Sequence, residues 1–401
     1  MNKRITRLAI AFLLLFGIST FEAQAGELVK FISPLDDRFP SAEFTTKVNE
    51  VPIRHLIDAL KDDEQIRQME ELFQASTEIN PDAEAKSIFI AVYEKPSPYG
   101  VPFMQCYSGH GFNFFNLDDK KMGGMIFHLS IVDPDGNKKG VETGVFQSGF
   151  FHEIGHIILH NLVPNYPTAY QSNGITSLSS KETAFDEGFA ELHEIFFEKR
   201  MPQYGTPNFL AAYEQFLYKM EFACFRPFGT EHNLFVWADW NDWPRLSKIL
   251  KEKGGEAFYQ DDFLSKKELR EFDDMIRSEG VVATLFLALV GEITTQENGA
   301  PVDLQKCRDW NKLIKPAFLR LYSTIHSEQN NSLEAFVKSL IKDPSFEKYR
   351  SNLWKVILET TFYAFGSEKY GEMYRNFHEG RISESEYSAW KNQVFHETAG
   401  L

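Results

Sequence analysis

The segment His152-Glu153-Ile154-Gly155-His156 brings together two imidazoles and a carboxylate at a spacing that suits a metal ion. On an α-helix, residues four apart lie on the same face, so both histidines could bind one Zn²⁺ at about 2.0–2.1 Å. Glu153 would lie beside that face, where its carboxylate could accept a proton from a metal-activated water. The pattern therefore predicts a metal site and, with it, hydrolysis of a peptide bond.

The same residues could instead belong to an ordinary buried helix, because they lie within the apolar run Phe150–Leu159. Two histidines and a glutamate are costly to bury without polar or charged partners. A metal ion would be such a partner, and we therefore favour a metal site over a helix that contains two histidines by chance.

A catalytic zinc site needs a third protein ligand besides two histidines. A second helix is predicted downstream, because Ser179 and Ser180 are typical N-cap residues and large apolar residues follow at helical spacing, namely Phe185, Phe189, Leu192 and Phe196. This helix carries Glu187 followed by Gly188. Because Gly188 has no side chain, we expect the second helix to pack closely on the first at this point.

The two segments together resemble the gluzincins, zinc peptidases in which a glutamate on a following helix completes the H-E-x-x-H site. Asp186-Glu187-Gly188-Phe189-Ala190 is similar to the N-E-G-F-A stretch of aminopeptidase N-like enzymes. The resemblance covers the chain from Phe146 to Arg200. It implies three zinc ligands, His152, His156 and Glu187, and one general base, Glu153.

Other polar residues near these helices have expected roles of their own. Glu191 resembles the acidic residue that orients a ligand histidine in thermolysin-like enzymes. Glu194 and Glu198 are expected on a solvated helix face. His160 lies about 12 Å along the helix axis from His152, so we expect it to support or pack rather than to bind the metal. Glu279, which precedes Gly280 on a later predicted helix, is the alternative third ligand.

Two departures from related peptidases limit the resemblance. Metzincins carry Gly and then His after the second ligand, whereas this chain has Leu159 and Leu162 there. Aminopeptidase N-like enzymes bind the free amine of their substrate with the Glu of G-x-M-E-N. The comparable segment Gly123–Phe127 has Ile126 in that place, which favours an endopeptidase over an exopeptidase.

The predicted fold class is α+β. Strands are predicted at Ser87–Tyr93 and Gly124–Val132, and the chain is mainly helical from about residue 146 onward. The resemblance implies a zincin-like fold, with a small mixed sheet before the active-site helix. We expect a signal peptide at 1–25, a mixed lobe with a substrate-binding edge strand ending near Val132 at 26–145, and a mainly helical lobe at 146–401.

The N-terminus is typical of an exported protein. Three basic residues precede the apolar stretch Leu8–Ile18, and Ala23-Gln24-Ala25 offers a cleavage site before Gly26. The stretch is short for a membrane span, although an uncleaved anchor is the alternative. We expect a secreted or periplasmic protein without a stable membrane span after cleavage.

Net charge indicates the class of binding partner, and the cysteines bear on a possible disulfide. Cleavage would remove three basic residues and one acidic residue, which changes the net charge from −15 to −17. Such a charge disfavours binding to nucleic acid, so the expected partner is a peptide or protein substrate. One disulfide is conceivable among three cysteines, Cys106, Cys224 and Cys307, but the sequence does not select the pair.

These features together predict a zinc metallopeptidase. The alternative is a non-catalytic binding or scaffold protein that zinc stabilises. A structural zinc usually has four protein ligands, so His160, His193 or Glu191 would have to supply the fourth. The side chain that steadies the oxyanion is left open among four candidates, His232, Tyr363, Tyr370 and Tyr374.

Overall fold

The computed structural model describes residues 29–35, 43–45, 63–83, 87–96, 104–106, 113–132, 143–167, 178–198, 271–304 and 306–399. The predicted signal peptide, His232 and Cys224 lie outside these residues. Cys307 is a free thiol.

The described strands all precede the metal-site helices. They are β1 (Val29–Pro34), β2 (Glu43–Thr45), β3 (Ile88–Pro96), β4 (Met104–Cys106), β5 (Asn113–Leu117) and β6 (Lys120–Val132). β1 pairs with β2 and β3, β2 with β5, β5 with β6, and β6 with β3, so five strands form a closed ring with β4 added outside on β6. The pairing is mixed, since β3 runs parallel to β6 whereas β4 and β5 run antiparallel to it.

β3 buries both of its faces, as expected from the apolar run that predicted it. Side chains alternate across a strand, and Ile88, Ile90 and Val92 enter the main core with the helices. Phe89, Ala91 and Tyr93 enter a second, smaller core on the opposite face of the sheet, together with Ile32, Leu117 and Ile126. The strands predicted at Ser87–Tyr93 and Gly124–Val132 are thus confirmed as parts of β3 and β6.

The strand β6 is paired on both sides at its centre, whereas the substrate-binding edge expected near Val132 stays a prediction. Phe127–Leu129 pair with β3 on one side and with β4 on the other. The outermost position among the described strands belongs to β4, which also contacts the first metal-site helix. A substrate strand could therefore not add to β6 at Phe127–Leu129.

Helices make up most of the other described residues. They are α1 (Glu64–Ile79), α2 (Thr143–Leu162), α3 (Lys181–Glu198), α4 (Phe272–Met275), α5 (Glu279–Asn298), α6 (Lys315–Ser327), α7 (Leu333–Lys342), α8 (Arg350–Thr360), α9 (Tyr370–His378) and α10 (Glu384–Thr398). A π-helical turn at Trp310–Ile314 precedes α6, and a 3₁₀ turn at Pro344–Tyr349 precedes α8. The mainly helical chain with a small sheet agrees with an α+β class.

Helix α3 is the centre of the packing, with α2 on one side and α5 on another. Its apolar residues predicted from spacing, Phe185, Phe189, Leu192 and Phe196, are all fully buried. Burial of each contributes about 1.5–3 kcal/mol to the free energy of unfolding. Core residues from β3 and α1 belong to the same apolar cluster as those of α2, α3 and α5.

Two glycines make the close contacts between helices, and Gly188 does not make the contact with α2 that the sequence predicted. A Cβ at Gly188 would lie 2.5 Å from Val282 Cβ, so Gly188 faces α5 and not α2. The close approach of α2 to α3 is made by Gly155, where a Cβ would lie 2.7 Å from Ala190 Cα. The small residue that joins the two metal-site helices is therefore inside the H-E-x-x-H motif itself.

Among the helices of the described segments, none is both long and apolar enough to cross a membrane.

Candidate metal centre

The metal-site residues lie on two antiparallel helices. His152 of α2 faces Glu194 of α3, whereas His156, one turn later, faces Asp186, two turns earlier on α3. Helix α3 begins where the serines predicted it, because the Ser180 hydroxyl accepts a hydrogen bond from the Thr183 amide at 3.0 Å. This cap sets the start of the helix one and a half turns before Asp186.

Three side-chain atoms from the two helices converge on one point. His152 Nε2 lies 3.2 Å from His156 Nε2. Glu187 Oε2 lies 3.3 Å from His152 Nε2 and 3.4 Å from His156 Nε2. The three residues predicted as ligands are therefore brought together, and this set could hold a metal ion.

The rear nitrogen of His156 is held by a carboxylate. Nδ1 of His156 lies 2.7 Å from Oδ1 of Asp186. A carboxylate only accepts hydrogen bonds, so Nδ1 carries the hydrogen and neutral His156 has its lone pair on Nε2, toward Glu187. Burial raises the pKa of Asp186, but His156 and His160 outweigh it, and the pKa lies well below its usual range.

The rear nitrogen of His152 also faces carboxylates. Nδ1 lies 3.2 Å from Glu194 Oε2 and 4.0 Å from Glu191 Oε1. The set of His152, Glu191 and Glu194 could also hold a metal ion. Because Glu194 is 9% exposed, the expectation that it lies on a solvated face is wrong, and Glu194 is closer to His152 than Glu191, the partner that the resemblance implied.

The electrostatics of the cluster favour positive charge. Burial lowers the pKa of both His152 and His156, but the carboxylates around them outweigh it, so both values lie well above the usual range. Burial raises the pKa of Glu187, but the two imidazoles outweigh it and hold the value below its usual range. The cluster thus stabilises a cation between its nitrogens and carboxylates.

Glu153 is partly buried beside the cluster on α2. Burial raises the pKa of Glu153 above the usual range. His156 and His152 lower this pKa, whereas Glu187 and Asp186 raise it further. A carboxyl group with a raised pKa near a metal is well suited to accept and return a proton.

His160 and His193 have other partners. His160 Nε2 lies 3.3 Å from Asp186 Oδ2. His193 is fully buried, with Nδ1 donating to the Phe189 carbonyl at 2.8 Å and Nε2 accepting from the Tyr322 hydroxyl at 2.5 Å. Burial lowers the pKa of His193 to about 3. Both ring nitrogens of His193 are thus occupied, and Nε2 of His160 faces Asp186 rather than the cluster.

Glu279, the alternative ligand, is buried at the start of α5, with 5% of its surface exposed. Burial raises its pKa well above the usual range, and Glu187 and Glu191 add to this effect. Glu279 is thus close enough to interact electrostatically with Glu187, but the set of converging ligand atoms contains Glu187 and not Glu279.

Two further expectations concern residues that would contact a substrate, namely the amine-binding position and the oxyanion-stabilising side chain. Ile126 is buried in the smaller core on the face of the sheet away from the helices, so its position differs from that of an amine-binding residue. Among the oxyanion candidates, Tyr363 packs on Trp390 and Tyr374 on Phe362 near the C-terminus. The described residues therefore do not bring these two tyrosines into the group of converging ligands.

Sequence reasoning missed Asp186 and Glu194 as partners of the histidines. A signal was available, since Glu187, Glu191 and Glu194 share one face of α3 at helical spacing. Asp186 lies next to Glu187 but about 100° around the helix, and only the packing angle of the two helices turns it toward His156.

No family model, curated protein or solved structure matches this chain. The assignment of the centre therefore depends on its own residues and geometry.

Proposed function

We propose that this protein is a zinc-dependent metallopeptidase with His152, His156 and Glu187 as zinc ligands. The spacing of the three ligand atoms carries the proposal. Ligands at 2.0–2.1 Å from a tetrahedral ion are separated from one another by about 3.3 Å. The observed separations of 3.2, 3.3 and 3.4 Å match one face of such a tetrahedron.

The donor set also favours zinc over harder cations. Two imidazoles and one carboxylate suit Zn²⁺, whereas Mg²⁺ and Ca²⁺ prefer oxygen ligands. Three protein ligands leave a fourth position open, which is typical of a catalytic site and not of a structural one. This supports an enzyme over the alternative of a zinc-stabilised scaffold.

When bound, zinc lowers the pKa of a water to about 7 and polarises the scissile carbonyl. Glu153 accepts one proton from the attacking water as its oxygen bonds to the carbonyl carbon. Glu153 then returns this proton to the nitrogen of the leaving amine as the C–N bond breaks. Asp186, through its hydrogen bond to His156, and Glu194, through its ion pair with His152, would orient the two imidazoles for zinc binding through Nε2.

We propose further that the enzyme is exported and cleaves internal bonds. The apolar N-terminal stretch favours export. Cleavage of internal bonds is favoured because Gly123–Phe127 lacks the glutamate of the G-x-M-E-N segment, and Ile126 lies in the smaller core instead. Buried carboxylates near the cluster, such as Glu191, could bind an amine instead, so blocked and free peptides must both be tested.

The substitution Glu153→Gln tests the catalytic part of the proposal. It preserves side-chain size but removes the basic oxygen, so we expect normal zinc content and a loss of roughly 10²–10⁴-fold in kcat/KM on an N-terminally blocked peptide. Glu292→Gln on α5 is the matched control, since its carboxylate accepts a hydrogen bond from Gln296. Full activity of Glu153→Gln would remove Glu153 from the mechanism, and cleavage restricted to unblocked peptides would indicate an aminopeptidase.

A further inference from the structure

His160 lies one turn beyond His156 on α2 and contacts the same carboxylate. Asp186 Oδ1 accepts a hydrogen bond from His156 Nδ1 at 2.7 Å, and Asp186 Oδ2 lies 3.3 Å from His160 Nε2. Two histidines of one helix thus bind the two oxygens of a single carboxylate on the facing helix. The motif continues as H-E-x-x-H-x-x-x-H along one face of α2.

The second contact restricts the carboxylate in a way that the first cannot. The terminal torsion of an aspartate is broad, so a carboxylate held through one oxygen can still turn about its last bond. A hydrogen bond to each oxygen defines the plane of the group. With His160 in place, Oδ1 of Asp186 stays directed at Nδ1 of His156.

The ring of His160 packs on Tyr166, and the hydroxyl of Tyr166 contacts the helix that carries Asp186. The His160 ring stacks on Tyr166, with ring centres 5.3 Å apart and planes inclined by 25°. The hydroxyl of Tyr166, a buried residue, lies 2.7 Å from the carbonyl oxygen of Glu182 and 3.0 Å from that of Asn331, and its single hydrogen is directed at the nearer Glu182 carbonyl or shared between the two. Glu182 lies one turn before Asp186 on α3, so Tyr166, His160 and Asp186 form a closed link between α2 and α3.

We propose that His160 is a positioning residue of the metal centre, which fixes Asp186 and thereby the ring orientation and tautomer of His156. This inference rests on the proposed zinc site. Partners behind the ligands typically change metal affinity by about 10–100-fold when they are lost. His160 acts through Asp186, so we expect its loss to weaken zinc binding by about 3–10-fold.

Competition of the purified full chain with a chromophoric chelator for Zn²⁺ measures this effect directly. His160→Phe retains an aromatic ring for Tyr166 but removes the hydrogen-bond donor, and should show the 3–10-fold loss, approximately half a decade to one decade in Kd. His160→Gln places an amide nitrogen near the position of Nε2 and should restore most of the affinity. Asp186→Asn should lose more than His160→Phe, because it changes the direct partner of His156.

His326→Phe is the control for general destabilisation of α2. His326 Nδ1 donates to the carbonyl of Leu162 at the end of α2, at 2.8 Å, and is partly buried like His160. We expect its zinc affinity to equal that of the wild type. Equal losses in His160→Phe and His326→Phe, or no rescue by His160→Gln, would overturn the role of His160.

The two proposals fail in different ways. If the wild type binds zinc and His160→Phe binds it equally well, the positioning role is wrong and the zinc site stands. If the wild type binds no zinc, the proposed function fails and the positioning role fails with it.

Discussion

At the scale of single residues, the centre consists of two imidazole nitrogens and one carboxylate oxygen that converge on one point. Nε2 of His152, Nε2 of His156 and Oε2 of Glu187 lie within 3.4 Å of one another. Carboxylates near both nitrogens of each ring hold the pKa of both histidines well above the usual range, so without a metal each imidazole is protonated and Nε2 faces Glu187 as a donor. A metal ion at this point would replace the two Nε2 protons, because metal ligands must be deprotonated.

The ligand set can be tested one residue at a time. His152→Ala, His156→Ala and Glu187→Ala should each lower the zinc content of the purified protein from about one ion per chain to nearly none, because two ligands bind zinc poorly. Glu279→Gln should retain zinc, since the converging ligand atoms include Glu187 and not Glu279. The zinc content of all four variants is measured by metal analysis. If Glu279→Gln loses zinc and Glu187→Ala retains it, the third ligand is Glu279 of α5 and not Glu187.

At the scale of elements, two glycines determine how closely the helices approach α3. Gly155 brings α2 against Ala190, and Gly188 brings α5 against Val282. The contact at Gly155 lies between the two histidines of the motif, so the helix spacing directly sets the distance from these histidines to Glu187.

Alanine at these glycines should destabilise the protein, although alanine normally favours a helix. A Cβ at Gly155 would lie 2.7 Å from a backbone atom, and overpacking of this kind costs about 1–3 kcal/mol. Gly155→Ala and Gly188→Ala should therefore lower the free energy of unfolding in urea. At Gly291 on α5 a Cβ would contact only the Leu304 side chain, with Cδ1 at 3.4 Å and Cγ at 3.9 Å, so Gly291→Ala should stabilise by up to about 1 kcal/mol. A stable Gly155→Ala would mean that the helices can separate freely.

Helix α1 contains a buried carboxyl group that makes stability depend on pH. Glu70 is 7% exposed, and burial raises its pKa to about 7 even though Arg67 lowers it. Because the folded pKa is above the unfolded value, its contribution to stability is greatest below about pH 4.5 and is lost as the pH rises through about 7.

The substitution Glu70→Gln removes this charge. We expect it to raise the free energy of unfolding by about 1–3 kcal/mol at pH 8 relative to its effect at pH 4, where Glu70 is protonated in both states. Urea denaturation at the two pH values measures the difference. The exposed Glu78 on the same helix gives the matched variant, Glu78→Gln, and an equal pH effect in both variants would contradict the role of burial.

At the scale of the whole molecule, one apolar core holds the site and the elements around it. Residues of β3, α1, α2, α3, α5 and the C-terminal helices belong to a single cluster, while the ring of strands encloses a smaller one. The partly exposed ligand residues of the centre lie on α2 and α3, whose apolar residues belong to this cluster.

Export is a property of the whole chain and is tested on the whole protein. We expect the protein recovered outside the cytoplasm to begin at Gly26, because Ala23-Gln24-Ala25 offers small residues at the cleavage positions. N-terminal sequencing measures this. An intact Met1 on membrane-bound protein would replace export by an anchored form.

The sequence by itself determined the features that depend on neighbours along the chain. The spacing of His152 and His156, the start of α3 at Ser180 and the apolar faces of β3 and α3 all follow from local periodicity and capping, and the structure contains each of them. The convergence of Glu187 on the two histidines also agrees with the ligand set that the resemblance implied.

Only the tertiary structure decided which residues face each other across elements. The rotation of α3 about its axis directs Asp186 at His156 and His160 and brings Glu194 into contact with His152, and Gly155 rather than Gly188 joins the two helices. Strand pairing places β4, and not β6, at the outer position of the sheet. These features depend on the simultaneous packing of side chains that are distant in sequence, which local periodicity does not encode.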